Sequence, residues 1–134
     1  MSEKITLQKI FDLAWEHFIV GDGKPAYDGW TGCSYETRDG RKCAVGLALP
    51  PHPEDPEGED YEYEGSFGSV ASKYPELFDE RILRLSYNKL VEFQVSLHDR
   101  FVDSTNGEWN CPKEDRRASY LRVAEEFGLT VPNH

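Results

Sequence analysis

The thiols and imidazoles of this sequence are the side chains that could form a structural zinc site. A four-ligand set for zinc would be drawn from Cys33, Cys43, Cys111, His17, His52 and His98. Structural zinc sites usually contain paired ligands two to four residues apart, and the sequence has no such pair. We therefore expect reduced, buried thiols, and predict neither a metal ion nor another cofactor.

His98 and Asp99 are adjacent, as in metal phosphohydrolases that use a His-Asp pair. Successive residues of a helix differ by about 100° in direction, so on a helix His98 would point inward and Asp99 outward. We interpret Gln94 and His98 as a buried polar pair that holds a hairpin to this helix. The alternative is a ligand pocket lined by Gln94, His98, Trp30 and Tyr35.

Other catalytic patterns are missing from the sequence. No serine lies in a Gly-x-Ser-x-Gly elbow, and Gly21–Pro25 lacks the Walker A pattern. A Cys–His nucleophilic pair would depend on the fold. The preferred hypothesis is a non-enzymatic protein; the alternative is a small metal-dependent hydrolase or nucleotide-processing enzyme that uses His98 and the cysteines.

Residues 50–65 form an acidic, proline-rich segment. It contains four prolines and seven acidic residues and no Lys or Arg, which predicts an extended, solvated loop. Such a segment could attract a basic protein by mimicking phosphates, although charge runs usually only increase solubility. The predicted partner-binding residues are Glu57, Glu59, Asp60, Tyr61 and Glu62.

The formal net charge of −10 concerns the class of partner. It argues against direct binding to nucleic acid or to an anionic membrane, which both favour a basic surface. No apolar run approaches the ~20 residues that span a bilayer, and the start of the chain does not resemble a secretion signal. We expect a cytoplasmic protein that binds another protein or a small ligand; a homodimer is one open alternative.

The element expected to organise the fold is a β-hairpin closed at Asp39-Gly40, a dipeptide typical of type I′ turns. Its strands would begin at Cys33 and run on through Cys43–Leu49, a small, apolar stretch that a helix could approach closely. The fold class predicted from this pattern is α+β. A single domain over residues 1–134 would pack the hairpin, with or without a third short strand, on three main helices.

Helix signals surround the predicted hairpin. Thr6 and Ser66 can cap helices, Pro112 suits a first turn, and Gly128 suits a helix end. The predicted helical ranges are 7–20, 66–74, 79–101 and 112–128. On the third, the predicted buried face comprises Leu83, Tyr87, Leu90, Gln94, Leu97 and Phe101, and the last would direct Tyr120, Leu121, Ala124 and Phe127 inward.

Several short motifs resemble those of small uncharacterised proteins from bacteriophages and bacterial genomes. They are Cys33-Ser34-Tyr35, Gly40–Gly46, Tyr63-Glu64-Gly65, Phe93-Gln94 with His98-Asp99, and Val123-Ala124 with Gly128-Leu129. Leu47 departs from the Cys or Ala common in that group, and Gln94 lies one residue further from His98. The resemblance implies a phage or mobile-element context and little more. Together with the negative charge and the lack of an assembled catalytic set, it leads to the first hypothesis, an accessory or inhibitor protein that binds a host protein in the host cytoplasm.

Overall fold

The computed structural model describes residues 4–21, 23, 27–28, 32–33, 43–49, 66–103 and 108–132. The predicted turn at Asp39-Gly40 and the acidic segment 50–65 lie outside these residues. The α-helices are α1 Leu7–Ala14, α2 Phe67–Lys73, α3 Glu80–Arg84, α4 Tyr87–Leu97 and α5 Lys113–Phe127. A π-helix, Trp15–Val20, continues α1, and 3-10 turns occupy Pro75–Leu77 and Asp99–Phe101.

The predicted α+β class is wrong, because the described part of the chain is mainly helical. Strand structure within it consists of β1 Tyr27–Asp28 and β2 Gly32–Cys33, which pair antiparallel. Two residues per strand make this pairing a minor feature beside the helices.

The predicted second hairpin strand, Cys43–Leu49, forms consecutive turns instead. The Leu47 N–H donates to the Cys43 carbonyl and the Ala48 N–H to the Val45 carbonyl, both at 3.0 Å. A short apolar run without alternation is compatible with either strand or helical turns, so its local sequence did not decide between them. Cys43–Gly46 is buried in the core.

Three of the predicted helix boundaries are confirmed. Thr6 Oγ1 accepts a hydrogen bond from the Lys9 N–H at 3.0 Å, and Ser66 Oγ accepts from the Ser69 N–H at 3.3 Å. Gly128 ends α5 in the left-handed conformation, with φ of 66°, where glycine carries no steric cost. These boundaries depend on residues close together in the chain, so they could be predicted from the sequence.

The single helix predicted over 79–101 is wrong. Asp79 caps α3 through the Ile82 N–H, but Leu85 and Ser86 are extended and separate α3 from α4. Ser86 Oγ then accepts from the Lys89 N–H at 3.2 Å, so this serine caps a new helix.

The break changes which side chains are buried. Leu90, Gln94, Leu97 and Phe101 are buried as predicted, whereas Leu83 and Tyr87 are exposed. Leu121 on α5 is also exposed, against the prediction, while its neighbours Tyr120 and Ala124 are buried.

Helix α4 packs between α2 and α5, and aromatic side chains fill the core around it. Phe11, Trp15 and Tyr120 cluster with ring centroids 5.7–6.2 Å apart. The Tyr120 hydroxyl donates to the Leu97 carbonyl at 2.7 Å, which fixes α5 against the C-terminal end of α4. The candidate site lies at that end.

None of the helices described is both long and apolar enough to cross a membrane.

Candidate functional site

Gln94 joins the turn at Cys43–Leu49 to helix α4. Its Oε1 accepts a hydrogen bond from the Val45 N–H at 3.0 Å, and its Nε2 donates to Asp99 Oδ1 at 2.9 Å. The side chain is buried, where an unpaired amide or peptide group would be costly. Gln94 therefore holds the turn at Cys43–Leu49 to α4, whereas the sequence had predicted that it would hold a hairpin there.

The prediction that His98 and Asp99 point in different directions is wrong, because α4 ends at Leu97. His98 has φ of −145° and ψ of −64°, outside the helical range, and Asp99 starts the following 3-10 turn. His98 Nδ1 lies 2.6 Å from Asp99 Oδ1. Since a carboxylate only accepts hydrogen bonds, the imidazole nitrogen is the donor.

Aromatic rings enclose the imidazole of His98, which is fully buried. The ring centroids of Phe18 and Trp109 lie 5.6 and 5.7 Å from that of His98. Trp109 is itself held by a hydrogen bond from Nε1 to the Gly23 carbonyl, at 3.1 Å, and by the Arg116 guanidinium, 4.2 Å from its ring centroid. His98 is thus packed as a core residue.

Cys43 belongs to the same cluster. Its Sγ accepts a hydrogen bond from the Gly46 N–H at 3.3 Å. Burial, together with the negative charge of Asp99, raises the pKa of the Cys43 thiol far above its usual range. A cysteine nucleophile acts as the thiolate, so Cys43 is held in its unreactive, protonated form.

We call Cys43, Val45, Gln94, His98 and Asp99 the buried polar network. Its hydrogen bonds run from Val45 through Gln94 to Asp99 and His98, and the thiol of Cys43 lies beside them. Sequence reasoning found Gln94 and His98 but missed Asp99, whose role depends on a helix end that was not predicted. Val45 donates through its backbone, so its side-chain type carried no signal.

Most of the remaining predicted site residues are not described by the structure. Trp30, Tyr35 and His52 lie outside the described residues, as does the partner-binding set Glu57, Glu59, Asp60, Tyr61 and Glu62. Over the ranges that the structure covers, no group of three or more His, Cys, Asp or Glu residues could hold a metal ion. The ligand-binding role of Gln94 and His98 stays a prediction.

One surface cavity lies away from the buried polar network. It has a volume of about 410 Å³ and is lined by Gln8, Asp12, Glu16, Thr130 and Pro132. The Gln8 amide pairs with the backbone of Thr130, donating to its carbonyl at 2.7 Å and accepting from its N–H at 2.8 Å. These bonds join the chain after α5 to α1.

The two fully described cysteines should differ sharply in reactivity. Cys43 is buried and protonated, whereas Cys111 is partly exposed. With iodoacetamide at pH 8, we expect Cys111 to be alkylated at least about a hundredfold faster than Cys43, because access and thiolate fraction set the rate. Peptide mass spectrometry of native protein gives both rates, and unfolding in urea should equalise them. Equal rates in the native protein would show that Cys43 is accessible.

Comparison with protein-family models, curated proteins and solved structures finds no match to this chain. The resemblance to phage and bacterial proteins therefore stays a prediction based on short motifs.

Proposed function

We propose that this chain is a non-enzymatic binding protein whose acidic segment, residues 50–65, contacts a basic protein. The observation that carries the proposal is the distribution of charge. Seven acidic residues and no basic residue lie in this segment, within a chain of formal net charge −10. The segment therefore carries most of the net charge and would steer a basic partner toward itself.

The buried polar network supports a non-enzymatic role. Cys43 is protonated, His98 is enclosed by Phe18 and Trp109, and Gln94 uses both ends of its amide within the fold. Each of these groups serves packing or internal hydrogen bonding. A reactive site would instead present an activated group to a cleft.

A small hydrolase or nucleotide-processing enzyme is the second candidate, because Cys43, Gln94, His98 and Asp99 do converge. Such an enzyme would require a conformation in which the thiol is exposed and ionised. Turnover of a nucleotide panel that is abolished by Cys43→Ala would support this candidate. If the wild-type protein turns over none of these nucleotides, the result supports the binding role.

The phage context that the resemblance implies makes the proposed partner a protein of the bacterial host. A basic surface on that protein, of the kind that otherwise binds phosphates, would match the closely spaced carboxylates of the segment. We infer that the protein acts by occupying such a surface, as an accessory or inhibitor protein.

Neutralising the acidic segment should weaken partner binding. In the segment variant, Glu57, Glu59 and Glu62 become Gln and Asp60 becomes Asn. A protein captured from a bacterial host by tagged wild-type chain would be identified, purified and titrated calorimetrically in about 0.15 M salt. We expect the segment variant to bind at least about tenfold more weakly, about 1.4 kcal/mol in binding free energy.

The matched control changes the same number of charges on the helical part of the chain. It replaces four exposed acids by Gln: Glu16, Glu76, Glu114 and Glu125. Because both variants have the same net charge, a local contact predicts that the control binds within about threefold of wild type, whereas nonspecific attraction weakens both equally. Equal affinities of the two variants would refute the proposal.

A further inference from the structure

An exposed apolar surface lies where α3 meets α4. Leu83 is 45% exposed and Tyr87 is 52% exposed. They border a groove with a volume of about 260 Å³. We call Leu83, Tyr87 and this groove together the α3 surface. Most of the other residues that line the groove are small or apolar: Gly68, Ala71, Pro75, Ile82, Leu85 and Leu90.

Tyr87 is fixed in place on this surface. The Ser66 hydroxyl donates to the Tyr87 hydroxyl at 2.7 Å. The ring packs on the bare backbone of Gly68, where an added Cβ would collide with the ring. An aromatic side chain that is already ordered loses little further entropy on association, which is the property of an interface anchor.

The charged residues beside Leu83, Glu80 and Arg84, would complement the same two residues on a second copy of the chain. Glu80 lies at the start of α3 and Arg84 at its end, with side chains 85% and 79% exposed. Within one copy they form an ion pair at 3.3 Å, but an exposed pair of this kind is weak and exchanges partners readily. If two α3 helices packed antiparallel, Glu80 of each copy would face Arg84 of the other.

We propose that two copies of this chain form a homodimer through the α3 surface. The α3 helices pack antiparallel about a two-fold axis, each Leu83 contacts the groove of the other copy, and two Glu80–Arg84 pairs cross the interface. A two-fold interface requires a surface complementary to itself, and α3 has this property. On α3, Glu80 and Arg84 balance each other in charge. This favours contact at α3, because two copies of a chain with net charge −10 otherwise repel each other.

Charge reversal tests both the dimer and its antiparallel geometry. Sedimentation equilibrium in about 0.15 M salt gives the dissociation constant of the wild-type dimer. Glu80→Arg and Arg84→Glu, each alone, place like charges opposite one another, and each should raise the dissociation constant at least about tenfold. The double variant restores opposite charges and should return to within about threefold of wild type. Thermal unfolding confirms that all variants remain folded, as their exposure predicts.

Each other outcome overturns the proposal. A wild-type chain that is still monomeric at about 1 mM forms no relevant dimer. A dimer that both single reversals leave unchanged uses a different surface. A dimer weakened by the single reversals but not recovered by the double variant lacks the antiparallel pairing. If Leu83→Glu instead weakens binding of the captured host protein while the chain is monomeric, the surface serves that partner.

Discussion

Replacement of Gln94 by alanine is expected to lower the free energy of unfolding by about 3–4 kcal/mol. The change removes the bond to the Val45 N–H and the bond to Asp99, and it leaves a space in the core. The Val45 N–H lies in the buried core, where a lost hydrogen bond costs most, whereas the Asp99 side chain is 29% exposed and can bond to water instead. Urea unfolding monitored by circular dichroism measures the difference.

Two control variants separate the contributions at this position. Glu92→Ala shortens a polar side chain on the exposed side of α4 and should cost less than about 0.5 kcal/mol, because Glu92 only forms a surface ion pair with Lys89. Gln94→Met keeps most of the volume and removes both hydrogen bonds, so we expect about 2 kcal/mol. A Gln94→Ala protein as stable as Glu92→Ala would show that the network does not hold the turn to α4.

His98→Ala is expected to cost about 3–4 kcal/mol of unfolding free energy, comparable to other large-to-small changes in cores. The imidazole fills the space between Phe18 and Trp109 and donates to Asp99, so its loss creates a cavity and removes a donor from a partly buried carboxylate. Urea unfolding again provides the measurement.

His17 supplies the matched histidine control. Its side chain is exposed, although its ring contacts Phe18 with centroids 4.7 Å apart, and His17→Ala should cost no more than about 1 kcal/mol. A His98→Ala protein that keeps wild-type stability but loses binding to a small ligand would contradict the structural role. It would instead support the pocket predicted from Gln94 and His98.

What could be predicted from the sequence was decided locally. Thr6 and Ser66 cap their helices through hydroxyls that bond the backbone three residues on, and Gly128 ends α5 because it tolerates positive φ. Burial of Gln94 and His98 also followed from helical periodicity. These features depend on neighbours within one or two turns, which a pattern in the sequence can represent.

The errors arose where distant contacts decide the conformation. Cys43–Leu49 lacks the alternation of a half-buried strand, and its turns are held by a bond between Val45 and Gln94, 49 residues apart. Ser86 is as plausible a mid-helix residue as a cap until Leu85 is seen to be extended. Because that break and the helix end at His98 were missed, the exposure of Leu83 and Tyr87 and the contact between His98 and Asp99 were missed as well.

Amide hydrogen exchange at Val45 tests most directly whether the buried polar network holds the turn at Cys43–Leu49 closed against α4. If Gln94 holds the turn closed, the Val45 amide exchanges only when the whole protein unfolds, and its exchange free energy equals that of Phe93 in the buried face of α4. If the turn instead opens to expose Cys43 and His98 for chemistry, Val45 should exchange at least about a hundredfold faster than Phe93. Equal protection of the two amides is the result that the binding role predicts, and fast exchange at Val45 would contradict it.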